Sequence, residues 1–106
     1  MRVKDASVNL EGLEPRMRTE VLPAIEAAYL AHLEMVVTSA KDGQHSAHSL
    51  HYEGRAVDIR TRTLSTDTAL EFCRAVKRAL GPDFDVVLEC DHLHVELDPK
   101  DPTRAA

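Results

Sequence analysis

Ser49-Leu50-His51-Tyr52-Glu53-Gly54-Arg55-Ala56-Val57-Asp58 is the stretch on which the reading of this chain turns. It is answered near the C-terminus by Glu89-Cys90-Asp91-His92-Leu93-His94. The two segments together offer imidazoles and a carboxylate. That is a donor set suited to one zinc ion held by three protein ligands, with a fourth position left for water.

Working outward, residues 40–50 are Lys, Asp, Gly, Gln, His and Ser around two alanines, a polar loop that ends just before His51. Residues 54–59 then read as a strand, with Ala56, Asp58 and Arg60 on one face and Val57 and Ile59 on the other. Gly54 permits a tight turn, so that His51 and Asp58 can return to one point. His92 and His94 are two apart and on a strand face the same way. Only one of them needs to touch a metal, and the other can face a substrate. Cys90 is an alternative ligand, although the neighbouring histidines suit the site better. Spacing alone also allows a plainer reading. His51 would then be a loop imidazole bonded to backbone, Asp58 a carboxylate paired with Arg55 or Arg60, and His92 and His94 parts of an exposed strand face.

The rest of the pattern predicts a frame for these segments. Val3, Val8 and Leu10 fit a short strand or an irregular arm. Pro15 suits a helix start, and Val21, Leu22, Ile25, Ala28, Tyr29 and Leu33 recur at helical spacing. Pro23 inside that run means either a kink or a first turn that begins nearer Leu22. Met35-Val36-Val37-Thr38 reads as a strand. Ser65-Thr66-Asp67 are N-cap candidates for a helix carrying Ala69, Leu70, Cys73, Val76 and Leu80, stopped by Gly81-Pro82. Residues 84–88 and 92–97 look like a β-hairpin around an acidic turn. The order α-β-β-α-β-β predicts an α+β fold, a small and mainly antiparallel sheet with two main helices. One domain over residues 1–106 is expected, with 98–106 as a fraying tail.

Composition narrows the function classes. The 106 residues carry a formal net charge of −5 and contain no Lys/Arg run for phosphates to follow, so no nucleic-acid partner is expected. There is no Trp and only two Phe, so the core is built mostly of Leu, Val and Ala, and a metal tie would help so small a domain. No stretch is long enough to span a membrane. The start, Met1-Arg2-Val3-Lys4-Asp5, lacks the apolar run of a signal peptide, which leaves localisation unassigned. Cys73 fits a small buried hydrophobe, and pairing with Cys90 needs geometry that sequence does not give.

Ser49-x-His51-x-x-Gly54-x-Ala56-x-Asp58 resembles the signature of the zinc D-alanyl-D-alanine carboxypeptidases and the related L-alanyl-D-glutamate endopeptidases. The uninterrupted run from Ser49 to Ile59 is closer still to the signalling domain of hedgehog proteins, which is similar in fold to those peptidases. The likeness extends to Asp42-Gly43, His45-Ser46, Phe84-Asp85 and His92-x-His94, and covers about residues 36–95. It implies His51, Asp58 and His94 as ligands of one zinc ion. It implies Asp91 as the catalytic carboxylate, with Glu89 as its runner-up. His45 matches a histidine near the hedgehog zinc, and His92 one that helps bind substrate or transition state.

The function implied is hydrolysis of peptidoglycan stem peptides, or of another short peptide, by a monomer. The alternative is a hedgehog-like zinc module that binds a partner and cleaves little. Two departures qualify the resemblance. Hedgehog domains bind calcium through an acidic cluster, whereas Thr38-Ser39-Ala40-Lys41-Asp42-Gly43 has one acid, so no such calcium site is expected. The peptidases commonly place an Arg in this region to engage the substrate carboxylate, and here Lys41 is the only cation.

Overall fold

A computed structural model describes residues 1–29, 34–40 and 54–98. Two α-helices pack against a five-stranded mixed sheet, the expected α+β class. The first strand, β1 (Arg2–Val3), runs parallel to β2 (Val36–Ser39), with Arg2 beside Val36 and Val3 beside Val37. All other pairings are antiparallel: β2 with β3 (Ala56–Arg60), β3 with β5 (His92–Leu97), and β5 with β4 (Phe84–Leu88). The spatial order is therefore β1-β2-β3-β5-β4.

Pro23 falls in the first turn of a helix that begins at Leu22, the second of the two places open to it. A π-helical turn, Met17–Val21, precedes α1 (Leu22–Ala28), and Pro23 sits in the first turn of that helix. Proline lacks an N–H and its ring collides with the carbonyl four residues back in a regular helix. Widening the preceding turn, with the Leu22 N–H donating to the Met17 carbonyl, relieves that collision. Tyr29 then turns extended and ends α1, and Leu33 lies outside the described residues.

The second helix, α2 (Thr66–Leu80), starts where expected, with the Ser65 hydroxyl accepting from the Thr68 N–H at 3.2 Å. It ends at Gly81, whose φ of 79° few other residues adopt. Its buried stripe is Ala69, Phe72, Cys73 and Val76, spaced three and four apart. Leu70, read from sequence as part of that stripe, is exposed, because one residue past Ala69 turns it about 100° away from the core. Phe72 takes the inward place and meets Tyr29 of the α1 end edge-on, ring centroids 5.1 Å apart.

Alternation divides the sheet into two chemistries. Val57, Ile59, Leu93, Val95 and Leu97 point toward the helices and are buried with Val37, Phe84 and Val86. Each fully buried Leu or Val there contributes about 1.5–3 kcal/mol. Asp58, Arg60, His92, His94 and Glu96 point to the other face and are only half-buried. The apolar partners of one face thus hold the register of the polar face, since a slip of one residue would exchange them.

Candidate functional site

Register builds the site. Across β3 and β5, Asp58 stands opposite His94 and Arg60 opposite His92. The His94 Nδ1 lies 2.7 Å from the Asp58 Oδ1, and the His92 Nε2 lies 3.8 Å from the same oxygen. Both imidazoles face the carboxylate, as their spacing of two predicted. An irregularity in β2 between Val37 and Ser39 brings Thr38 alongside, where its hydroxyl donates to the Asp58 carbonyl at 3.3 Å. Such a bulge re-aims a strand locally.

Glu96 is a member of the site that sequence reading missed. Its Oε1 lies 3.0 Å from the His94 Nε2. The signal was available, because Glu96 is two residues past His94 and so shares its strand face. With Nε2 facing Glu96, His94 turns Nδ1 toward Asp58, the arrangement by which a carboxylate fixes the tautomer of a metal-binding histidine. Asp58 holds the His94 imidazole above its ordinary pKa, through that hydrogen bond and its charge, with Glu96 adding to the effect and burial opposing it.

Asp91 is held from two sides. Its carbonyl accepts from the Thr61 N–H at 3.0 Å, which ties the hairpin turn to the end of β3. Its Oδ1 lies 2.6 Å from the His92 Nδ1. That hydrogen bond, with the charges of His92 and Arg62, keeps the Asp91 carboxyl below the usual range. Glu89 is exposed at the opposite end of the turn, where its N–H donates to the His92 carbonyl at 2.8 Å.

A cleft of about 370 Å³ opens here, lined among the described residues by Asp58, Asp91 and His92 together with Lys4, Thr38, Ser39, Arg60 and Arg62. Glu89 is not among that lining. His51, the third ligand candidate, and His45, together with His48, Tyr52, Glu53, Lys41 and Asp42, lie outside the described residues. So does the segment that departs from the hedgehog calcium pattern after Ala40. Cys73 is buried and Cys90 exposed, and both thiols are free. No helix among the described residues is long and apolar enough to cross a membrane.

The chemistry of the donor set fits zinc. An imidazole nitrogen and a carboxylate oxygen converge, both are part-buried, and a second carboxylate backs the imidazole. A small α+β fold with an Asp/His pair on the polar face of its sheet, and a second carboxylate, Asp91, bonded to the neighbouring His92, defines a class. The chain belongs to the Hedgehog amino-terminal signalling domain family, whose model matches residues 16–97 and so takes in α1, α2, β2 to β5 and all of the acidic and histidine side chains just described. That superfamily is shared with the D-Ala-D-Ala peptidase-like fold.

Proposed function

We propose that this chain is a zinc-dependent peptidase acting on short peptides of the peptidoglycan-stem type. The observation that carries the reading is the continuous line of contacts Glu96–His94–Asp58–His92–Asp91 on one face of the sheet. His51, Asp58 and His94 would hold one zinc ion. Bound there, the metal supplies Lewis acidity toward a water and a peptide carbonyl.

The chain's own groups divide the remaining work. Asp91 is ionised, exposed and fixed by Thr61 and His92, so one carboxylate oxygen is held by His92 while the other is available to take a proton from water. It then delivers that proton to the leaving amine. His92, oriented by Asp91, donates toward the oxygen on which charge develops, a role His45 can share. Glu89 remains the runner-up as base, with its place outside the cleft lining favouring Asp91.

Family membership favours a second reading, a zinc-bearing module that presents a surface to a partner and cleaves little. Zinc-loaded protein incubated with purified muropeptides separates the two. Peptide release that is abolished by Asp91→Ala and retained in Glu89→Ala supports the peptidase. Stoichiometric zinc with no turnover on any muropeptide supports the binding module.

A further inference from the structure

The helical side of the molecule has an opening of its own. A groove of about 450 Å³ lies between the end of α1 and one stripe of α2, on the side of the sheet away from Asp58 and His94. Thr68, Phe72, Ala75 and Arg78 line it at intervals of four and three residues, so they belong to one face of α2. Ala28 of α1 faces the same space and, like Ala75, fills little of it. The floor is aromatic: Tyr29 and Phe72, 8% and 4% exposed, meet there edge-on. A buried tyrosine hydroxyl ordinarily finds a partner. That of Tyr29 has none among the described residues, yet no buried side-chain oxygen there is left sealed and unsatisfied. The hydroxyl therefore opens into the groove that Tyr29 lines. Arg74 and Arg78, one turn apart and exposed, complete the lining. Neither guanidinium has an ion-pair or hydrogen-bond partner among the described residues, although Glu71 lines the same groove. Arg78 stands in the last turn of α2, where a cation also answers the helix carbonyls, but Arg74 lies a turn earlier.

We infer that this groove is a second ligand site, separate from the zinc face, and that it takes a small organic acid with an apolar body. The body lies against Tyr29, Leu64 and Ala75, and the anionic head meets Arg74 and Arg78. Each guanidinium presents paired donors that match a carboxylate, and the Tyr29 hydroxyl adds a donor at the floor. Two cations against one acid give the groove a positive balance on a chain whose net charge is −5, so the attraction for an anion is local. A volume of about 450 Å³ falls within the range of small-molecule sites, and a few polar groups placed around an apolar floor are their usual make-up. The inference does not depend on the peptidase reading, because none of these side chains belongs to the zinc face or its cleft.

The test is an NMR titration of the full chain, zinc-free and zinc-loaded, with phenylacetate, octanoate and the uncharged phenylacetamide. Shifts are expected at Tyr29, Phe72 and the Thr68–Arg78 face of α2, equally with and without zinc. Phenylacetate should bind about tenfold more tightly than phenylacetamide, the scale of a charge-assisted contact. Arg74→Gln and Arg78→Gln should each shrink that preference, and the double variant should erase it with circular dichroism unchanged. Tyr29→Phe keeps the ring packing, because the hydroxyl has no protein partner to lose, and should weaken acid binding about fivefold. Whichever of phenylacetate and octanoate binds more tightly identifies the apolar body as ring or chain, and either ranking upholds the site. Dissociation constants above about 10 mM for both acids overturn the inference. So do equal binding of acid and amide, a preference that survives in the double arginine variant, and shifts centred on Asp58, His92 and His94 that require zinc.

Discussion

Asp58 and His94, 36 positions apart in sequence, face each other across β3 and β5 with Oδ1 and Nδ1 2.7 Å apart. The pair is the centre of the polar sheet face, and Glu96 extends it by one further contact. Removing the members in turn should therefore give a graded response. Asp58→Ala is expected to lose stoichiometric zinc, read by elemental analysis after dialysis. Glu96→Gln should keep the fold and weaken zinc affinity by about 10- to 100-fold, the usual consequence of removing the partner of a metal-binding histidine. Unchanged affinity in Glu96→Gln would mean that this contact does not orient the ring.

In metal-free protein the same pair sets a pH dependence. The folded His94 has a raised pKa, mainly from Asp58, against an unfolded value of about 6.5. The folded state therefore binds more protons, so the stabilisation is fully present below the unfolded value and is lost as pH rises through the folded one. Chemical unfolding of the zinc-free chain across pH 5 to about 9 should show this decline, and Asp58→Asn should flatten it. An NMR titration placing His94 at or below the ordinary histidine value would contradict the assignment.

Asp91 and Glu89 flank one turn but differ in placement, because only Asp91 lines the cleft. Asp91→Ala should lower kcat on a cleavable muropeptide by about 10²- to 10⁴-fold, the range for losing a positioned general base. Glu89→Ala should change it little. The opposite ranking would transfer the proton-accepting role to Glu89.

Gly54 is constrained twice. Its φ is 71°, and an added Cβ would collide with the Gly12 carbonyl oxygen while the Glu14 N–H donates to the Gly54 carbonyl at 2.7 Å. Gly54→Ala should destabilise the fold by about 3 kcal/mol, combining left-handed backbone strain with a displaced neighbouring loop. Denaturant midpoints measured in parallel with an exposed control such as Leu70→Ala provide the check.

Ser65 caps α2 through the Thr68 N–H. Ser65→Ala should cost about 1 kcal/mol, visible as a lower unfolding midpoint with zinc stoichiometry unchanged. A loss of zinc with this variant would show that α2 couples to the polar face, which the intervening core argues against.

Much of this was legible in one dimension. Period-two alternation set Val57 and Ile59 on the face opposite Asp58, and put His92 and His94 on one face of their own strand. Ser65, Gly81 and Pro23 marked the helix boundaries through backbone chemistry that needs no tertiary partner. The choice between Leu70 and Phe72 was not legible, because it depends on which side of α2 meets Tyr29 and β4.

The chain's order of residues determined which groups share a strand face and where the helices begin and end, since those follow from local geometry and side-chain type. Only the packed sheet decided that Asp58 meets His94 and His92. Likewise it drew Glu96 into the histidine's environment, and it brought Lys4, Arg60 and Arg62 to the lining of the cleft that holds Asp58 and Asp91. Those relationships come from strand order and register. Both are set by burying the opposite, apolar face, a choice the whole core makes at once and no short segment makes alone.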